Sequence, residues 1–132
     1  MSKSDYLEQK ILDDIYRLSA FTKPTSLYVA LFTADPGETG ASNEVSGNAY
    51  ARVQVTNDSS TWSRSGSVIS NVGAITFTAP TPASWGTVTH FGMFDAATSG
   101  NYWGGAALAT PRATSIGVAV SFAIGALTHT ET

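Results

Sequence analysis

The chain has 132 residues, a net charge of −3 and a pI near 5.1, with 13% charged residues and no cysteine. That length fits one domain, residues 1–132, able to bury roughly two-thirds of its unfolded surface, so folding needs no staple. The absence of cysteine excludes disulfides, thiolate metal sites and cysteine nucleophiles, and the acidic balance argues against a nucleic-acid partner, which calls for a basic patch.

The first element is a helix expected over residues 4–20. Ser4 or Asp5 can cap it, and Asp5 with Glu8 makes a D-x-x-E capping box. Leu7, Ile11, Ile15 and Leu18 recur at i, i+4, i+8 and i+11, and Leu12 and Tyr16 widen the stripe. Acids come early and Arg17 late, as the helix dipole prefers. The stripe is broad for a small sheet to cover. It can pack on its own subunit or dock on a neighbour.

The β part of the chain is expected over 26–131. Leu27-Tyr28-Val29-Ala30-Leu31-Phe32-Thr33 is the first β-patterned stretch. Leu27, Val29 and Leu31 share one face and Tyr28, Ala30 and Phe32 the other, because strand side chains alternate. Both faces are largely apolar, so this strand is expected to be covered on both sides. Asp35-Pro36-Gly37 ends it and opens a polar loop over 34–48. Loops longer than about 12 residues are usually functional or mobile, and this one is the expected place for a contact outside the subunit.

Residues 50–56 alternate, with Tyr50, Arg52, Gln54 and Thr56 expected outward and Ala51, Val53 and Val55 inward. A second polar loop is expected over 57–66, with Trp62 exposed in it. Further strands are expected over 67–72, 74–79, 88–95, 102–109, 116–122 and 126–130. Pro80 and Pro82 close the second of these, a turn over 96–101 makes a hairpin, and Pro111 with Arg112 marks another turn. Gly104-Gly105 inside a strand marks a bulge or a close backbone approach. The count, one amphipathic helix and about seven strands, predicts a mainly β fold: an antiparallel sandwich or flattened barrel.

Charge is unevenly placed. Eight of the seventeen charged residues lie in the first 23 positions, and Ser and Thr total 33 of 132. A surface so poor in charge is what an assembled protein tends to expose while free and cover in place. The N-terminal apolar residues are interspersed with charges, unlike a signal peptide, and no apolar run approaches the ~20 residues that span a bilayer. Synthesis in a cytosol and no membrane partner are expected.

Few reactions fit these residues. His90 and Asp95 are an odd five apart on a predicted strand and so face opposite ways, and no G-x-S-x-G elbow is present. Two histidines without cysteine make a poor zinc set. Asp35, Glu38 and Glu44 share a loop but no D-x-[DN]-x-[DN]-G pattern. No catalytic residue, cofactor or metal site is expected. The aromatics are the one binding signal: Trp62, Tyr102 and Trp103 can offer ring faces to a sugar, while Trp85, next to Gly86, suits the sealed end of a sandwich.

Three segments together resemble a family of small phage tail-fibre-like structural proteins. They are Leu27-Tyr28-Val29-Ala30-Leu31-Phe32-Thr33-Ala34-Asp35-Pro36, Glu44-Val45-Ser46-Gly47-Asn48-Ala49-Tyr50-Ala51-Arg52, and Ala83-Ser84-Trp85-Gly86-Thr87-Val88-Thr89-His90-Phe91-Gly92-Met93-Phe94-Asp95-Ala96. The helix with Leu7, Leu12 and Leu18 and the late Gly125-Ala126-Leu127-Thr128 fit the same pattern; the serine-rich 57–72 departs from it. The resemblance implies a non-enzymatic virion component, either tail-fibre-like or baseplate-associated, or a capsid decoration (cement) protein. Other virion proteins are the implied partners. The chain is expected to form a homo-oligomer, a trimer by preference. Leu7, Ile11, Leu12, Ile15 and Leu18, with Asp35, Pro36 and Glu44, are the expected assembly contacts. The alternative is a carbohydrate-binding module at the host surface, using Trp62, Tyr102 and Trp103.

Overall fold

A computed structural model describes residues 3–131. Helix α1 spans Asp5–Tyr16 and is followed by nine strands: β1 Ser26–Phe32, β2 Val53–Thr56, β3 Trp62–Ser65, β4 Val68–Asn71, β5 Ile75–Phe77, β6 Thr87–Phe94, β7 Tyr102–Ala113, β8 Val120–Phe122 and β9 Thr128–Thr130. All pairings are antiparallel, in sheets ordered β2-β1-β6-β7, β3-β4-β9 and β5-β8. The four-stranded sheet faces the two smaller ones across the main core, a sandwich-like arrangement.

Strand β1 is the centre of the large sheet. It pairs with β2 on one side, Val29 opposite Val53, and with β6 on the other, Leu31 opposite Phe91. Its alternation divides the molecule into two apolar layers. Val29 and Leu31 point into the main core with Phe77, Val88, Phe91, Phe122 and Leu127. Ala30 and Phe32 point the other way into a small cluster with Phe94 and Tyr102. The expectation of a strand covered on both faces is met. The second cover is largely the 34–44 loop: Gly40 lies so close to Tyr102 that a Cβ there would come within 2.4 Å of the ring.

The helix differs from its sequence reading in length and in packing. Ser4 caps it, its Oγ accepting from the Leu7 N–H at 3.1 Å. It stops at Tyr16, four residues short of the predicted end, with Arg17 as cap and Leu18 at φ 52°. The Ser19 N–H closes that turn on the Asp13 carbonyl at 3.1 Å. No residue of α1 is fully buried. Its first turns are attached: Tyr6 meets Trp103 edge-on with centroids 5.4 Å apart, and the Asp5 N–H donates to the Glu38 carbonyl at 3.1 Å.

Strands also differ from expectation at four places, one of them β3, which lies inside the loop expected over 57–66. Residues 50–52 are outside β2, because Tyr50 and Arg52 turn inward to hydrogen-bond partners rather than out to water. Strand β7 continues past Pro111 to Ala113; its partner register jumps between Val88–Arg112 and His90–Ala107, so the proline sits in a bulge where no ladder donor is needed. Residues 116–117 form a turn, with Gly117 at φ 76° and the Val118 N–H on the Ser115 carbonyl, and only Val120–Phe122 remains of the predicted strand.

The Gly104-Gly105 expectation is met in both senses. A register shift at Trp103 makes a bulge, and at Gly105 an added Cβ would lie 2.2 Å from the Phe91 carbonyl oxygen and 2.6 Å from Tyr102 Oη. Asn71 is the buried polar tie between the small sheet and the turns after β8. Its Nδ2 donates to the carbonyls of Gly73 and Ala123, and its Oδ1 accepts from the Leu127 N–H at 3.0 Å.

Candidate functional site

Three features stand apart from the packed core: a clamped loop, an exposed helix end and a groove between the sheets. The clamp gathers the Glu44-to-Arg52 segment. Arg52 makes a two-point pair with Glu44, Nε to Oε1 at 2.7 Å and Nη2 to Oε2 at 2.8 Å. Its Nη1 donates to the carbonyls of Ala96 and Ser99, both at 2.8 Å, and its guanidinium lies 3.6 Å from the centroid of Phe94. Tyr50 completes the cluster, donating to Glu44 Oε1 at 2.9 Å and accepting from the Leu31 N–H at 3.0 Å. Burial pushes the Tyr50 hydroxyl well above the usual tyrosine range, and the Glu44 carboxylate adds to that. These residues bind one another across three loops and strand ends.

The predicted loop contacts therefore have roles inside the subunit. Glu44 is engaged by Arg52 and Tyr50. Pro36 is buried. Asp35 is exposed and its Oδ1 accepts from the Gly37 N–H at 2.8 Å, forming the turn that starts the loop. The loop is also tied back to β1, Thr33 N–H to Asn43 carbonyl and Val45 N–H to Leu31 carbonyl, each at 3.0 Å.

The predicted helix stripe splits in two. Leu7 and Ile11 are half-buried, on the attached side. Leu12 (54%), Ile15 (63%), Tyr16 (79%) and Leu18 (90%) are open to solvent. Together they make an apolar end with acids beside it.

The predicted aromatic platform is divided by the sheet. Trp62 starts β3 rather than lying free in a loop, and it is half-buried on the core side. Tyr102 is 3% exposed and packs on Phe32 and Phe94 on the opposite side. Burial, with the nearby acids Asp35 and Glu38, raises its hydroxyl pKa. Trp103 is held between Tyr6 and Phe21. The three rings share no common face.

What Trp62 does line is an open groove of about 610 Å³ between the large sheet and the β3-β4-β9 sheet. Leu27, Ile69, Phe91 and Met93 form its apolar floor, with Arg64, His129, Asp58 and Glu131 the ionisable groups of its lining. Sequence reading did not find this groove, since its floor joins residues from three strands, β1, β4 and β6, and only Trp62 of β3 signalled it. Elsewhere, His90 Nδ1 bonds the Thr89 hydroxyl at 2.8 Å, and Asp95 accepts from the Asn101 backbone at 2.7 Å and from its side chain at 2.9 Å. Among the described residues no three His, Asp or Glu side chains converge to hold a metal.

The fold is a mainly β, sandwich-like module with one N-terminal helix. The chain belongs to the family described as Podophage GP4 fiber I protein gp80, whose model matches residues 2–130. It is thus a phage fibre structural protein and a virion component. None of the curated proteins matches the chain.

Proposed function

We propose that the protein is a tail-fibre-associated part of the particle, held by protein–protein contacts and carrying out no reaction of its own. The observation that supports this most is the exposed end of α1. Leu12, Ile15, Tyr16 and Leu18 put four large apolar side chains in water on a chain that can bury such groups elsewhere. Contiguous apolar exposure of this kind marks an interaction surface. The contacts reach other virion proteins and further copies of this chain. The family description favours a fibre placement over capsid decoration. A sugar platform has less support, because Tyr102 is buried and Trp103 is enclosed by Tyr6 and Phe21. The test is to purify particles of the encoding phage and identify the protein in them by mass spectrometry. Its presence at constant copy number in the tail fraction supports the reading, and its absence from intact particles overturns it.

A further inference from the structure

Helix α1 hangs from the sandwich by its root. Lys3 pairs with Gly104 at the edge of β7, the Ser4 N–H donates to the Trp103 carbonyl, and the Asp5 N–H donates to the Glu38 carbonyl. One further tie reaches the opposite sheet. Lys3 Nζ lies 2.8 Å from Glu131 Oε1, 128 positions along the chain and just past β9. The Glu131 N–H is itself fixed on the Ser67 carbonyl at 2.9 Å, and His129 Nε2 lies 3.3 Å from the other carboxylate oxygen. Strands β7 and β9 run close together, but no backbone ladder joins them among the described residues. The ion pair therefore bridges the two sheets at a seam that backbone hydrogen bonds leave open.

We propose that Glu131 is a positioning residue for α1: its carboxylate clasps Lys3 to the end of β9 and so holds the root of the helix across the seam. Its role in assembly rests on the reading that α1 is the contact element; the clasp itself does not. The groups facing the carboxylate are Lys3, from the segment before α1, and His129 of β9, which adds a second cation when protonated. Glu8 of α1 lies near Lys3 and stabilises its charge, and Arg64 and Asp58 share the groove lining with Glu131. Burial works to raise the Glu131 pKa, but the Lys3 and His129 contacts outweigh it and hold the carboxyl below the usual glutamate range. The clasp is thus complete above the ordinary glutamate value of about 4.5 and is lost as pH falls through the lower folded one.

Amide exchange of the isolated protein, followed by NMR, tests the clasp. The Asp5 amide reports the root of α1, and the β1 amides report the sheet. Glu131→Gln and Lys3→Gln are each expected to lower Asp5 protection roughly threefold at neutral pH, the scale of an exposed ion pair, and to leave β1 protection unchanged. Lys3→Arg, which keeps the charge, is expected to retain the parental value. In the parent, Asp5 protection is expected to fall as the pH is lowered from about 5 to about 3, with a smaller fall in Glu131→Gln. Parental Asp5 protection in Glu131→Gln overturns the proposal, as does an identical pH response in the two proteins. An equal loss at Asp5 and in β1 also overturns it, since the pair then supports the whole fold and not the helix root. These readouts are independent of the particle, and absence of the protein from particles overturns only the broader reading.

Discussion

Arg52 and Glu44 face each other in a bidentate pair, with the arginine side chain only 7% exposed and its guanidinium stacked on Phe94. The pair ties the returning end of the 34–48 loop to the 95–101 hairpin tip, because Arg52 also holds the carbonyls of Ala96 and Ser99. Removing the arginine leaves a partly buried carboxylate and two carbonyls without their donor. Arg52→Ala is expected to cost about 2–4 kcal/mol, read as a lowered midpoint in urea. Arg52→Lys is expected to recover less than half of that, since an ammonium cannot supply the planar two-point fork. A lysine variant as stable as the parent contradicts this account of the clamp.

Gly105 is required by close approach and not by backbone angle, as an added Cβ would lie 2.2 Å from the Phe91 carbonyl oxygen. Gly105→Ala is expected to lose on the order of 2–4 kcal/mol by forcing β6 and β7 apart. Gly73→Ala is the control, because nothing lies within 4 Å of a Cβ there. Paired denaturation curves check both, and equal midpoints for the two variants count against the tight contact.

Asn71 is 1% exposed and its side chain makes three hydrogen bonds to backbone groups. Asn71→Leu is expected to destabilise by about 2–4 kcal/mol, since the Leu127 N–H loses its partner where water is excluded and the part-buried Gly73–Ala123 cross-tie is lost with it. Hydrogen exchange gives a second readout: the Leu127 amide is expected to lose protection ahead of the β1 amides. An unchanged Leu127 exchange rate contradicts the assigned role.

Burial raises the hydroxyl pKa of both Tyr50 and Tyr102 above the ordinary value. A folded-state pKa above the unfolded one means the folded chain holds the proton more tightly. Their contribution is thus complete below about pH 10, the unfolded tyrosine value, and is lost as pH rises beyond it. Stability measured from pH 8 to 11 is expected to fall above about pH 10, and Tyr50→Phe is expected to flatten that fall while lowering stability at pH 8 through the lost bond to Leu31. An identical slope in Tyr50→Phe removes Tyr50 from the account.

The sequence was most informative where one local pattern decided the outcome. Strand β1 shows this: apolar residues on both faces correctly implied two covers. The N-cap, narrowed to Ser4 or Asp5, and the bulge or close approach at Gly104-Gly105 were legible for the same reason, and the structure puts the cap at Ser4 and the close approach at Gly105. The helix end was misplaced because Leu18 keeps the apolar period while adopting a left-handed turn that usually falls to glycine, so nothing marked the stop. Arg52 read as outward because strand alternation assigns polar residues to water. Its carboxylate partner lies eight positions away and its aromatic partner on β6. Ile116 and Val118 alternate like a strand, yet Gly117 turns the chain and leaves both exposed. The groove lay beyond local reading altogether, since β1, β3, β4 and β6 build it from residues distant in sequence.

The uncovered end of α1 is the centre of the functional account, and Ile15→Asp tests it with little effect on the fold, as that side chain is 63% exposed. The direct measurement is quantitative mass spectrometry of purified particles grown with either the parent protein or the Ile15→Asp variant, with melting curves of both proteins alongside. The expected result is the parent at constant copy number in particles, and a variant with an unchanged melting temperature that is depleted from them. A variant that enters particles at the parental copy number contradicts the claim that this helix end holds the protein in the virion.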